Sequence, residues 1–230
     1  MTKHPASRNI ANRILLALPP RTLDELLPSL NWVELARGQI ICRAGTPVEH
    51  VYFVNRGLTS LIRAMRDGRT AEVGAIGIEG IAGLSALFGF DRAILDTIVQ
   101  IPGEAFRIRE TSLRDAMSRS KPVQMLLQHY LQWAISQIAQ TAACNRLHSL
   151  EERCCRWLLI AHDSARSDTF SLRHEFFALM LGVQRSSVSL TAGILRKAGF
   201  IDYHAGRMTI VDRAGLEGSH ANVTRQFASN

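Results

Sequence analysis

No apolar run in this chain reaches the length needed to cross a bilayer, and the N-terminal stretch MTKHPASRNI lacks the apolar core of a signal peptide. Both absences point to the cytoplasm and away from a membrane. The four cysteines, Cys42, Cys144, Cys154 and Cys155, form no CxxC pair and no regular ligand spacing. That argues against a structural zinc site or a four-cysteine iron–sulfur cluster and leaves free buried thiols as the default. There is no phosphate loop of the GxxxxGK type, and no nucleophile stands with a plausible base and orienting group. An enzyme is therefore not the expected class, and no catalytic or metal-binding residue is assigned; His148, His162 and His174 read as surface or satisfied histidines.

Acidic residues are missing from one further place. Between Gly182 and Gly199 the only charged side chains are Arg185, Arg196 and Lys197, within a chain of 230 residues whose formal charge is +7. The overall basic excess is spread along the chain and supports an acidic partner only weakly. The local absence of acids around Arg185 is the better argument for a polyanion.

That stretch sits inside LRHEFFALMLGVQRSSVSLTAGILRKAGFI, Leu172 to Ile201. Phe177, Ala178 and Leu181 share one face of a short helix that Gly182 stops, and Val188, Thr191, Ile194 and Leu195 mark the inward face of a second helix closed by Gly199. A small Ala178 at a close crossing, a glycine at the turn and a β-branched Val188 in the angle fit a helix-turn-helix. The outward residues at the start of the second helix, Gln184, Arg185, Ser186, Ser187 and Ser189, carry the groups that read base edges and phosphates. An amphipathic helix pair in an ordinary helical domain is the alternative. After it, FIDY and MTIV flank His204-Ala205-Gly206-Arg207, a hairpin that reads as a wing with Arg207 at its tip, placed to meet a phosphate.

From Trp32 to about Ile108 the character is β-type: WVEL, GQIICRAG, VYFVNRG, LTSLIRAM, RDGR, TAEVGAIG and DTIVQIPGEAFRI, with turns expected at Gly45, Gly57, Gly68 and Gly103. Some seven short strands at such spacing predict an antiparallel barrel or jelly roll. Within it, Gly77 to Arg92 is a glycine-rich interruption with a short apolar helical run, flanked by Glu79 and Arg92. It could hold a phosphate or simply link two strands.

From Thr111 the period is helical. A turn over Thr111 to Met117 and a start signal at Lys121-Pro122 precede an unbroken helix from Val123 to Leu147. Leu127, Leu131, Ala134, Ile138 and Thr141 or Ala142 recur at four and three residues, the spacing of a coiled-coil seam, so the helix is expected to pair with a second copy; packing wholly against its own domain is the alternative. Ser149 with Glu152 forms a capping box that opens the next helix, through Trp157, Leu158 and Ile160. The expected division is a sensor at 1–117, a dimerisation helix at 118–147, a DNA reader at 148–217 and a loose tail at 218–230. The fold class is α+β.

A β-roll carrying YFVNRG, a glycine-rich cassette, a long helix and a winged helix-turn-helix, in that order, resembles the bacterial Crp/Fnr transcription regulators. The most specific pieces are Pro47 to Gly57, CNRLHSLEERCCRWLL, LMLGVQRSSVS and GRMTIVDRAGLE. The resemblance implies a homodimer that binds a pseudo-palindromic duplex and engages RNA polymerase. In the family's cyclic-nucleotide sensors a Gly-Glu pair holds the ribose and an Arg holds the cyclic phosphate; here the order is Glu79-Gly80, and the Arg position falls on Ala93 with Arg92 one residue early. Glu79, Gly80 and Arg92 are thus the effector candidates, no cofactor is predicted, and a cyclic nucleotide is the alternative. The oxygen sensors' N-terminal cysteine cluster is absent from MTKHPASRNI. At the reader, Arg185 matches the family's first recognition Arg, Ser186 stands at its common Glu, Leu190 at its second Arg, and Arg173 replaces a capping Thr, which places a cation near a phosphate. A signalling module that docks a protein through its helical end is the competing function.

Overall fold

The computed structural model describes residues 10–219. The chain opens with α1 (Arg13–Leu16), capped by Asn12, whose side chain accepts from the Ile14 and Leu15 amides. Asn12 is buried and also donates to the carbonyls of Val54 and Gly80 at 2.8 and 2.9 Å. A cap and a cross-link are thus combined in one amide side chain. Next comes α2 (Pro20–Leu26), started by its proline and followed by a 3-10 turn over Leu27–Ser29.

The roll is built from β1 (Asn31–Leu35), β2 (Ile40–Cys42), β3 (His50–Ala64), β4 (Thr70–Ile76), β5 (Ile81–Ala82) and β6 (Asp96–Arg109), all paired antiparallel, with α3 (Leu84–Leu87) between the last two strands. The sheet order is β1-β6-β3-β4, while β2 pairs with β6 and β5 with β3. Gly45 and Gly68 lie in turns, at φ +80° and +83°. Gly57 and Gly103 do not: they sit inside β3 and β6, so VYFVNRG and LTSLIRAM are one strand. The ladder between these strands shifts register around Arg56 and Leu58. A Cβ on Gly57, at φ +93°, would approach the Ile101 carbonyl to 2.6 Å, and one on Gly103 would collide with the Arg56 carbonyl. The two glycines permit a close bulged crossing of continuous strands, not a chain reversal.

The expected turn over Thr111 to Met117 is instead a helix, α4 (Glu110–Arg119), held by a buried Leu113 and by Arg114 paired to Glu110. Ser120 separates it from α5 (Lys121–Leu147). Leu127, Leu131 and Ala134 are buried against the roll with Val123 and Tyr130, and Ile138 packs on the cluster of Leu61 and Ile76. Tyr130 fixes the contact, its hydroxyl accepting from the Ile81 amide at 2.8 Å and donating to the Ile81 carbonyl at 3.1 Å. Leu127, Leu131, Ala134 and Ile138 of the expected seam thus attach the helix to the apolar face of its own roll.

The C-terminal part holds α6 (Leu150–Ala165), with the Ser149–Glu152 capping box in place, then β7 (Thr169–Ser171), α7 (His174–Leu181), α8 (Arg185–Lys197), β8 (Ile201–His204), β9 (Arg207–Ile210) and α9 (Arg213–Gly218). The hairpin is the predicted wing, widened by β7 into a sheet of order β7-β9-β8. Cys154, Cys155, Trp157, Phe177, Val188 and Leu195 share one core, which continues into Leu58, Ile62 and Ile101 of the roll. All four cysteines are free and buried, and burial pushes Cys42, Cys154 and Cys155 up to about 11, 12 and 11, so these thiols stay protonated. Of the expected tail, Gly218 ends α9 and residues 220–230 lie outside the described residues. Among the described residues no single helix is long and apolar enough to cross a membrane.

Candidate nucleic-acid interface

The turn between α7 and α8 follows from Gly182, which takes φ +65°, while the Val183 amide reaches back to the Ala178 carbonyl at 3.0 Å. The two axes then bend by 104°. Val188 is fully buried in the angle, and Thr191 and Leu195 follow it inward. Ile194 does not: it is 43% exposed, and Ala192 takes its place in the core. The α8 N-terminus is left with its first amides outward, since Gln184 caps it without a side-chain bond.

Gln184, Arg185, Ser186 and Ser189 are exposed, and Ser187 is half-buried. Arg185 is not surrounded by cations alone. Its Nε lies 3.1 Å from Glu175 on α7, an acid outside the acid-free stretch Gly182–Gly199. The pair is exposed on both sides and worth little in itself, so Arg185 is oriented without being withdrawn from solvent. Ser189 is oriented as well, at 2.8 Å from His174 Nδ1, and the His174 ring stacks on Tyr203 of the wing at 4.2 Å. Burial and the nearby Arg185 cation lower the His174 pKa against the pull of Glu175, which keeps the ring neutral at neutral pH.

Arg173, at the start of α7, is exposed and lies against the wing turn: a Cβ on Gly206 would stand 3.8 Å from its Cγ. Arg207 begins β9 on the other side of that turn, also exposed. Arg173 and Arg207 thus flank the wing turn, and His174, next to Arg173, links the wing to Ser189 of α8. A further cation comes from the roll: Arg37 donates to the Ser171 carbonyl at 3.3 Å, and burial first, then the Arg173 charge, lowers its pKa. Sequence reasoning missed Arg37, Glu175, His174 and Tyr203 in this role. Leu190, expected at the family's second Arg position, is 70% exposed one turn after Ser186 and suited to a thymine methyl group.

The effector candidates are not brought together in the same way. Glu79 lies in the β4–β5 turn and accepts from the Gly77 amide at 2.8 Å, beside Ser164 of α6; burial raises its pKa and that amide opposes the rise. Gly80 packs under Tyr130, whose hydroxyl a Cβ there would approach to 2.6 Å. Arg92 is exposed and donates to the Gly45 carbonyl at 2.7 Å.

Two family profiles match the chain: a Crp-like helix-turn-helix domain over residues 152–219 and a cyclic nucleotide-binding domain over residues 32–120. No curated protein matches it. Among solved structures it is similar to FixK2 from Bradyrhizobium japonicum, at 17% identity and TM-score 0.70 over 82% of this chain and 96% of that one. A transcriptional regulator of the CRP/FNR family from Thermus thermophilus gives 20% and 0.67 over 84% and 99%. The c-di-GMP responsive global regulator CLP from Xanthomonas campestris gives 16% and 0.66 over 84% and 99%. At these identities the likeness is one of fold.

Proposed function

This chain belongs to the Crp/Fnr family of DNA-binding transcription regulators, and we propose that it reads a pseudo-palindromic duplex as a homodimer. The observation that carries the reading is the exposed first turn of α8, with Gln184, Arg185 and Ser186 outward on a helix that stands away from α7 by 104°. Such a helix enters a major groove by its N-terminal end, Arg185 meeting a guanine edge while Ser187 and Ser189 reach bases or phosphates. Arg173 and Arg207 then meet the phosphates that flank the groove and set the register of the reader.

For the homodimer, the support comes from the other face of α5. Met125, Gln132, Ile135, Ala139 and Ala142 are exposed and recur at seven, three, four and three residues, a seam with small residues where two helices would lie close. A two-fold axis along this seam sets the two readers on half-sites about one helical turn apart. We divide the chain accordingly into the sensor at 1–117, the paired helix at 118–147 and the reader at 148–217, working in the cytoplasm with RNA polymerase as a partner and without a catalytic role.

The exposed Leu190 and Ile194 on α8 are the observation that favours a docked protein instead. Salt separates the two. Binding to a duplex that neutralises several phosphates falls steeply and linearly in log–log form with salt, whereas a protein contact through Leu190 and Ile194 would hold its affinity. A steep slope is the expected result.

A further inference from the structure

Between the roll and α5 lies a cavity of about 120 Å³, walled by Val48 and Leu61 of the roll, Leu84 of α3, Ala93 in the loop that follows, and Leu131 and Ala134 of α5. No Arg, Lys, His, Asp or Glu lines it. Its few polar side chains are engaged within the chain: Ser85 accepts from the Ile94 amide at 3.2 Å, and Thr97 is hydrogen-bonded to Cys42. Two charged neighbours of the lining in sequence turn elsewhere: Arg92 donates to the Gly45 carbonyl, and Asp96, between Leu95 and Thr97, accepts from the Ala44 amide.

A cyclic nucleotide brings a phosphate anion, and an anion taken out of water needs a cation or several donors around it. This wall offers neither. A cavity lined by aliphatic side chains stays dry and accepts apolar guests; at roughly 150 Å³ such a space takes benzene or xenon. By the resemblance, the Arg position of the nucleotide sensors falls on Ala93, which forms part of the wall. An alanine at this place offers no partner to a phosphate and keeps the surface apolar.

We propose that this cavity binds a small uncharged apolar ligand of about the size of one aromatic ring, and that it does not take a cyclic nucleotide. The proposal rests on the regulator reading only for its consequence. Phe88, Ile94 and Ile135 line the cavity and are also exposed, so they form its mouth. Ile135 belongs at the same time to the outer seam of α5, while Leu131 and Ala134 hold that helix to the roll. A guest therefore touches the inward and outward faces of one helix and biases its position against the roll.

Fluorobenzene titrated onto the full chain and followed by fluorine NMR tests this. Saturable occupancy at one guest per chain is expected, at least tenfold weaker in Ala93→Leu, whose larger side chain fills the space, and unaffected by added cyclic AMP. Absence of saturable binding to the unaltered protein, or displacement of the probe by cyclic AMP, would overturn the proposal. Both of those readouts use the unaltered chain and decide the matter even if Ala93→Leu loses its fold, as checked by circular dichroism. Duplex binding measured by anisotropy in the same samples stands apart: its failure counts against the regulator reading, and leaves the fluorobenzene result to decide the cavity.

Discussion

Trp157 of α6 donates its indole N–H to the Glu72 carboxylate of β4 at 3.4 Å, inside the apolar contact where the reader rests on the roll. Glu72 is buried and also accepts from Ser60. Burial pushes its pKa up to about 7, against the two hydrogen bonds and the Arg156 charge. The folded protein therefore holds a proton there that the unfolded chain releases near 4.5. Stability from this group is fully present below pH 4.5 and is lost as pH rises to about 7. Glu72→Gln should flatten that part of the profile and raise stability at pH 8 by up to about 3 kcal/mol. Urea titrations of both proteins at pH 5 and pH 8 measure it, and an unchanged difference between the two pH values in the variant would contradict the assignment.

The outer face of α5 gives the second expectation. Ile135 is 56% exposed, so Ile135→Glu should leave the monomer folded while placing like charges together across the two-fold seam. Sedimentation should find a monomer, and duplex affinity should fall at least tenfold as the two readers lose their coupling. Leu127→Glu, by contrast, buries a carboxylate against the roll and should unfold the chain. A dimer that survives Ile135→Glu would show that α5 does not form the seam on this face.

At the reader, Arg185→Ala should cost about 1–3 kcal/mol at the preferred site and flatten its base preference, whereas Arg207→Ala should weaken all duplexes alike and reduce the salt slope by about one. Anisotropy titrations on matched and mismatched duplexes distinguish the two. Equal loss on every sequence in Arg185→Ala would move that side chain from base reading to phosphate contact.

The strand crossing supplies a stability test. Gly103→Ala forces a methyl group into the Arg56 carbonyl and should destabilise by about 1–3 kcal/mol or more. Gly193→Ala meets nothing within 4 Å inside α8 and should stabilise by about 0.5–1 kcal/mol. Denaturant midpoints of the two variants should move in opposite directions; a neutral Gly103→Ala would mean that the strands do not cross there.

The reader was legible because its signals are local. Gly182, Ala178, Val188 and the hairpin glycine each act within one or two turns of the chain, and the helix pair and wing stand where those residues put them. The roll was legible as a class but not in its strands. A glycine at positive φ looks the same in sequence whether it reverses the chain or lets a distant strand pass, and the partner of Gly57 is Gly103, which local pattern cannot supply. The α5 seam was misread for a related reason: four-three spacing marks an apolar stripe without saying whether a second copy or the chain's own roll covers it. Leu127, Leu131 and Ala134 are covered by the roll, and the outward stripe through Ile135 and Ala139 is too weakly apolar to stand out. The Glu175–Arg185 pair escaped because it spans two helices across the turn, and the exposure of Ile194 because Ala192 takes its place in the core.

The measurement that bears most directly on the whole account is a selection from random duplex DNA with the purified full chain at near-physiological salt, sequencing the bound pool. The account predicts an enriched two-fold symmetric motif, with half-sites about one helical turn apart and a preference that fades in Arg185→Ala. A pool without symmetry or enrichment, from protein shown to be folded and dimeric, would contradict it.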